Sequence, residues 1–290
     1  MNQLIRILLL LLLLLVAGRA TAVVCSLSVN PSQVKVIFTG SAPLQVQGTI
    51  DLTCARAGDS RKPNFWIGMD QPATGRTATL DTGGSTLAYT VAHGNYGLGI
   101  WMNTGSVSPG STTNGGIQDN TPDFGKNNGQ TLTATYTFYL QVAVQGNKAA
   151  GVYVDSIPLT LRDQNISGPI LYATTLDVSI SLPKSCRFST PPTAINVNYT
   201  AFSPSPVPGS SSFALTCTLG TTYTLALDAT RSLIPTVELA YSLSLNAAAG
   251  SGNAAAQAYT VDISVDAGQA GRCNGATCTG TDTRTLTITY

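Results

Sequence analysis

Phe213-Ala214-Leu215-Thr216-Cys217 repeats the pattern of Ile50-Asp51-Leu52-Thr53-Cys54, and the reading of these two stretches decides the fold. In each, apolar side chains two residues apart run up to a cysteine, the period of a half-buried strand. Each of these cysteines has another a similar distance upstream, Cys25 before Cys54 and Cys186 before Cys217. Cys273 and Cys278 remain, close enough to close a small loop. Six cysteines admit fifteen pairings, and the repeat favours Cys25–Cys54, Cys186–Cys217 and Cys273–Cys278. Closing a loop of about 30 residues adds roughly 3–4 kcal/mol in the chain-entropy account of disulfide stabilisation.

The repeat extends outward from the cysteines. Phe65-Trp66-Ile67-Gly68-Met69-Asp70 corresponds to Tyr223-Thr224-Leu225-Ala226-Leu227-Asp228, with alternate residues apolar in both. Leu87-Ala88-Tyr89 recurs as Leu239-Ala240-Tyr241. Late in each copy comes a strand pair, 136–144 and 152–161 in the first, 259–265 and 284–290 in the second. Short strands punctuated by Gly, Pro, Asn and Ser predict two β-sandwich domains, 23–168 and 169–290.

Composition agrees. The chain has 290 residues, 43% hydrophobic and only 10% charged. That is too apolar for a disordered chain. Glu238 is the sole glutamate; with helix formers scarce, an all-α fold is excluded. A net charge of +1 gives no bulk attraction to nucleic acid. Arg6, the apolar run 7–16 and the small residues Ala20-Thr21-Ala22 have the order of a cleavable export signal, assigned to 1–22. An exported chain with six cysteines fits disulfides.

Nothing in the sequence forms a catalytic constellation, so a binding or structural role is expected rather than an enzymatic one. His93, in Ala92-His93-Gly94-Asn95, reads as an exposed loop histidine. Asp70 and Asp228 read as strand-end turn residues. No clustered ligand set for a metal is present, and no cofactor is called for.

The ordered set of a cysteine, a strand ending Leu-Thr-Cys, Tyr223-Thr224-Leu225-Ala226-Leu227-Asp228, Leu239-Ala240-Tyr241 and a final Leu286-Thr287-Ile288-Thr289-Tyr290 resembles the spore coat protein U domain family. Gly151-Val152-Tyr153-Val154-Asp155 is similar to that family's Gly-x-Tyr-x-Asp motif; the second copy carries the Cys273–Cys278 loop in its place. The family includes subunits of archaic chaperone–usher pili, and its two-domain members resemble tip adhesins. The resemblance implies two immunoglobulin-like sandwiches, the C-terminal one lacking its last strand and completed by a strand from a neighbour. It implies as partners a periplasmic chaperone, an outer-membrane usher, a neighbouring pilus subunit and an abiotic or host surface. It places the protein outside the cell, at the fimbrium or cell surface, in attachment and biofilm formation. Alternatives are a structural spore coat or matrix protein and a secreted carbohydrate-binding module.

Four local readings follow. Leu286, Ile288 and Tyr290 form the expected acceptor edge, because an uncovered strand invites another. Cleavage after Ala22 leaves two residues before Cys25, too few to bridge a groove, so the chain is expected to accept a strand without donating one. A long alternation over 170–182 is expected to complete domain one with its first half and open domain two with its second; the alternative is a single first strand of domain two. The glycine-spaced segment Tyr96-Gly97-Leu98-Gly99-Ile100-Trp101 is the candidate adhesive loop, with Trp66 beside it if Phe65, Ile67 and Met69 face inward. Trp101 has a competing place in the core.

Non-reducing peptide mapping is expected to recover Cys25–Cys54, Cys186–Cys217 and Cys273–Cys278. A link between the two copies, such as Cys54–Cys186, would end the two-repeat account.

Overall fold

Alternation of apolar and polar side chains makes the long elements of this chain strands, and they gather around two separate apolar cores. The computed structural model describes residues 23–56, 64–94, 98–119 and 130–290. The export signal expected at 1–22 lies outside them.

The first core is enclosed by β1 (Val23–Asn30), β2 (Gln33–Ile37), β3 (Leu44–Arg56), β4 (Phe65–Met69), β5 (Arg76–Leu80), β6 (Thr86–Ala92), β7 (Trp101–Val107), β8 (Gly115–Asp119), β9 (Thr131–Val142), β10 (Gly151–Asp163) and β11 (Ile170–Leu182). One layer runs β1-β3-β9-β6 and the other β2-β11-β10-β4-β8-β7. The first half of β6 pairs with β5 and its second half with β9, so the two layers join into one 11-stranded sheet. Ile50, Leu52, Phe138 and Leu140 face Ile67, Met69, Leu159 and Leu161 across the core, all of them 0% exposed.

The second core lies between β12 (Cys186–Thr190), β13 (Val207–Cys217), β14 (Thr222–Leu227), β15 (Arg231–Ile234), β16 (Leu239–Leu245), β17 (Ala249–Ser251), β18 (Ala256–Val265) and β19 (Leu286–Thr289). Its sheets run β12-β13-β18-β16-β15 and β17-β14-β19. The described residues are all-β, built as two sandwiches. Cys25 sits directly opposite Cys54 on β1 and β3, and Cys186 opposite Cys217 on β12 and β13. Both pairs are disulfide-bonded, as is Cys273–Cys278 in the loop before β19.

The segment 170–182 departs from expectation. All of it, not its first half, belongs to the first sandwich: β11 pairs antiparallel with β10 and parallel with β2. Leu176, Val178, Ile180 and Leu182 from its second half are buried in the first core. Each such burial is worth about 1.5–3 kcal/mol. The division between the two cores therefore falls at residues 183–185 rather than after 168.

Trp66 also departs from expectation. Strand alternation predicts an outward indole beside inward Phe65, Ile67 and Met69, yet every residue of β4 is buried. β8 pairs with β4 edge to edge, and the β7 segment around Gly105 reaches back over Trp66. The indole donates from Nε1 to the Gly105 carbonyl at 2.9 Å. Glycines make its berth: a Cβ on Gly116 would lie 2.4 Å from Trp66 Cζ2, and one on Gly68 2.1 Å from Trp66 Cη2.

Gly116→Val is therefore expected to expel the indole. The cost expected for an overpacked core is about 1–3 kcal/mol, read by urea unfolding together with a red shift of tryptophan emission. Unchanged stability and emission would show that Trp66 does not pack there.

Candidate functional site

The two copies correspond in register along one strand pair each. β4 meets β10 with Met69 opposite Leu159 and Ile67 opposite Leu161. β14 meets β19 with Leu227 opposite Leu286 and Leu225 opposite Ile288. The backbone agrees: Asp70 N–H donates to Pro158 O at 2.9 Å and Asp228 N–H to Thr285 O at 3.0 Å. So β19 is the counterpart of β10.

Their environments differ on the far side. β10 has β4 on one edge and β11 along the other. β19 has β14 on one edge, and among the described residues no strand pairs with the other. The difference reaches the side chains. Leu159 and Leu161 are 0% exposed, whereas Leu286 and Ile288 stay half-buried. Tyr290, at the end of this row, is 55% exposed.

A second edge faces the same region. In the first sandwich β11 also pairs with β2, which follows Pro31. In the second copy the chain after Pro191-Pro192 alternates in the same way: Ile195, Val197 and Tyr199 are half-buried against the second core, while Ala194, Asn196, Asn198 and Thr200 are exposed. Residues 194–199 pair with no described strand. Two extended edges, each with an apolar row, thus bound the place that β11 fills in the first sandwich. This is what strand addition requires: unpaired backbone groups for pairing and alternate pockets for side chains.

A polar cluster recurs at the same level of both sandwiches. In the first, Tyr89 Oη donates to Asp155 Oδ2 at 2.7 Å, and Arg76 grips the same carboxylate with Nε at 2.7 Å and Nη2 at 3.0 Å. Arg76 Nη1 also reaches Asp70, its carbonyl and, at 3.9 Å, its carboxylate. In the second, Tyr241 Oη donates to Asp282 Oδ2 at 2.5 Å, and Arg284 holds Asp282 while its Nη1 meets Asp228 at 3.7 Å. Asp282 is four residues before Leu286, as Asp155 is before Leu159. The Gly-x-Tyr-x-Asp segment thus has its aspartate in both copies. The arginine does not keep its place: it comes from β5 in the first copy and from the residues just before β19 in the second.

Electrostatics follows the contacts. Burial pushes the Asp155 carboxyl up, but the Arg76 and Tyr89 hydrogen bonds and the Arg76 charge outweigh it, and its pKa falls below the ordinary value. The hydrogen bonds from Tyr241 and Arg284 hold Asp282 down at about 2. Burial and the neighbouring carboxylate push the Tyr89 phenol up. The cluster therefore stays ionised as a structural tie. The shared signal was the equal spacing from aspartate to Leu159 and to Leu286, read together with Tyr89 and Tyr241; the substituted glycine and tyrosine of the motif hid it.

The candidate adhesive residues separate. Trp101 is 0% exposed and donates from Nε1 to Ile67 O at 2.9 Å, so it is core. Trp66, likewise 0% exposed, is no surface residue either. Ile100 is half-buried and bridges to Ala92, while Leu98 is 53% exposed. Tyr96 lies outside the described residues. His93 is not an exposed loop histidine: it is 5% exposed and edge-on to Trp101, with ring centroids 6.1 Å apart, and burial lowers its pKa. Among the described residues no group of three or more His, Cys, Asp or Glu could hold a metal ion.

Residues 21–160 match the Spore Coat Protein U domain. No curated protein matches the sequence. Among solved structures, the chain is similar to a chain of the CsuC–CsuE chaperone–tip adhesion subunit pre-assembly complex from the archaic chaperone–usher Csu pili of Acinetobacter baumannii. Identity is 14%, the match covers 92% of this chain and 100% of that one, and the TM-score is 0.46. It is also similar to the CupB6 tip adhesin of Pseudomonas aeruginosa, at 11% identity over 87% of this chain and 90% of that one, TM-score 0.37. A third is the CooA pilin subunit of enterotoxigenic Escherichia coli, at 12% identity over 55% of this chain and 98% of that one, TM-score 0.36.

Two outcomes are expected for the polar ties. Asp155→Asn leaves the largely covered Arg76 guanidinium without its carboxylate and costs about 1.5–3 kcal/mol, the range for hydrogen bonds to charged groups. For Asp282 the folded pKa is depressed, so its contribution is present above the unfolded pKa near 4 and is lost as pH falls from there through about 2. Urea unfolding at pH 5, 3 and 2 should show that loss in the wild type and a shallower one in Asp282→Asn; identical acid slopes would remove Asp282 from the account.

Proposed function

We propose, from a chain that carries a Spore Coat Protein U domain over residues 21–160, that this protein is an exported, non-enzymatic fimbrial tip subunit. Its second sandwich joins the filament by accepting a strand from a neighbouring subunit, and its first sandwich faces the surface to which the fimbria attaches. The observation that carries this reading is the contrast between β10 and β19. The same strand position, in the same register, is sealed by β11 in one copy and bare in the other. An incoming strand supplies backbone partners to β19 and covers Leu286 and Ile288.

The first sandwich needs no such help, because β11 is its own last strand. Its described N-terminal residues are not spare either: from Val23 to Asn30 they pair with β3. That pairing places Val23–Asn30 within the first sandwich's own sheet. A periplasmic chaperone and an outer-membrane usher are the partners this assembly calls for, since a bare apolar edge must be covered before assembly. Surface attachment and biofilm formation then rest on the exposed loops of the first sandwich, where Leu98 is among the apolar residues the structure leaves in solvent. Apolar contact of this kind is non-directional and suits abiotic surfaces.

Hydrogen–deuterium exchange on the full chain tests the reading. In the isolated protein, amides of 286–289 should exchange far faster than those of 157–161, and they should become protected in assembled fimbriae. Equal protection of both strands in the isolated monomer would refute an accepting edge. For the surface role, Leu98→Ser should leave stability within about 0.5 kcal/mol, as for an exposed site, and lower attachment of fimbriated cells to plastic. Unaltered attachment would take this loop off the contact surface.

A further inference from the structure

The inward row of the accepting strand is not uniformly apolar. In the first sandwich, Ile157, Leu159 and Leu161 are all 0% exposed, and Ile157 lies opposite Leu176 of β11. Counting back from Leu286 as from Leu159, the counterpart of Ile157 is Arg284. Its side chain is half-buried, 29% exposed, on the same face as Leu286 and Ile288. A strand inserted in the register of β11 therefore lies beside Arg284 where β11 lies beside Ile157.

That guanidinium is partly engaged. Nε donates to Tyr241 Oη and to Asp282 Oδ2, both at 3.0 Å, and Nη2 donates to Ser232 Oγ at 2.6 Å and also contacts Asp282. Among the described residues Nη1 has only the longer ion pair with Asp228 at 3.7 Å. Guanidinium nitrogens are donors without exception, so Nη1 has protons to give. A leucine placed over it would strip water and return no hydrogen bond. A carboxylate would add a third negative charge beside Asp228 and Asp282 with one arginine between them. A short neutral acceptor satisfies the donor without either cost.

We propose that Arg284 selects the strand that the second sandwich accepts: the partner segment carries a small neutral hydrogen-bond acceptor, serine, threonine or asparagine, at the position opposite Arg284. The selection also works against the chain's own β11, whose Leu176 occupies that register position in the first sandwich, so one copy's β11 is rejected by another copy's second sandwich. This rests on the second sandwich being a strand acceptor.

Two synthetic 13-residue peptides test it on the full-length protein: the sequence of residues 170–182 as it stands, and the same peptide with Leu176→Thr. Binding is read by fluorescence anisotropy of the labelled peptide. The threonine peptide is expected to bind wild type about tenfold more tightly, the scale set by one buried donor left without a partner. In Arg284→Leu the preference reverses. Should that variant fold poorly, Arg284→Leu/Asp282→Asn removes the companion charge with it and is expected to show the same reversal. Equal binding of both peptides to wild type overturns the selection by Arg284 and leaves strand acceptance standing. Failure of both peptides on wild type and variants overturns strand acceptance itself and this proposal with it.

Discussion

Pairing along both edges of the strand that follows the long β9-type element is the constraint on which each sandwich depends. A strand with an apolar inner face has to bury that face and pair its backbone groups on both sides. β10 does so between β4 and β11, and its inward residues disappear from solvent. β19 satisfies one edge through β14, and its inward residues remain half-buried. The two sandwiches share register, disulfide position and polar tie, so the fully sealed and partly open cores differ chiefly through this one strand.

Layering explains what the rest of the first sandwich does. β4 sits in the middle of a sheet whose outer face at Trp66 is covered by the β7 segment around Gly105, so both faces of β4 are dry. Small residues make that possible. Gly68 and Gly116 leave room for the Trp66 ring, and the Gly105 carbonyl receives its N–H. Trp101 is held by the carbonyl of Ile67, one residue along from Trp66. The same cover buries His93 against Trp101. The glycine-spaced segment that reads as an adhesive tip is thus mostly a lid on the sheet, with Leu98 left outside.

The polar tie shows how a physical requirement can persist while its residues move. Each sandwich fastens the strand after its long outer hairpin to the opposite layer through a tyrosine hydroxyl and an aspartate. A half-buried carboxylate needs a compensating cation, and each copy supplies an arginine from a different place. In the first copy Arg76 stands on β5, leaving the inward row of β10 to Ile157. In the second, Arg284 stands within the inward row itself, its side chain half-buried beside Leu286.

Much of this was legible in the sequence, because it depends on local periodicity and spacing. The strand content, the duplication, the three disulfides and the alternating row at Leu286 and Ile288 all follow from residues near one another in the chain. The division between the domains did not. An alternating segment such as 170–182 fits either neighbour, and only the sheet that pairs with it over its full length, β10 with β2 beyond, decides its membership. The same holds for Trp66 and Trp101, whose alternation marks a face but not what lies over it. Asp282 and Arg284 were hidden as partners of Tyr241 because they stand 41 and 43 positions from it. Sequence determined which side chains each strand could bury. Tertiary structure decided which edges were sealed, because pairing and burial are settled by the neighbour a strand meets and not by the strand alone.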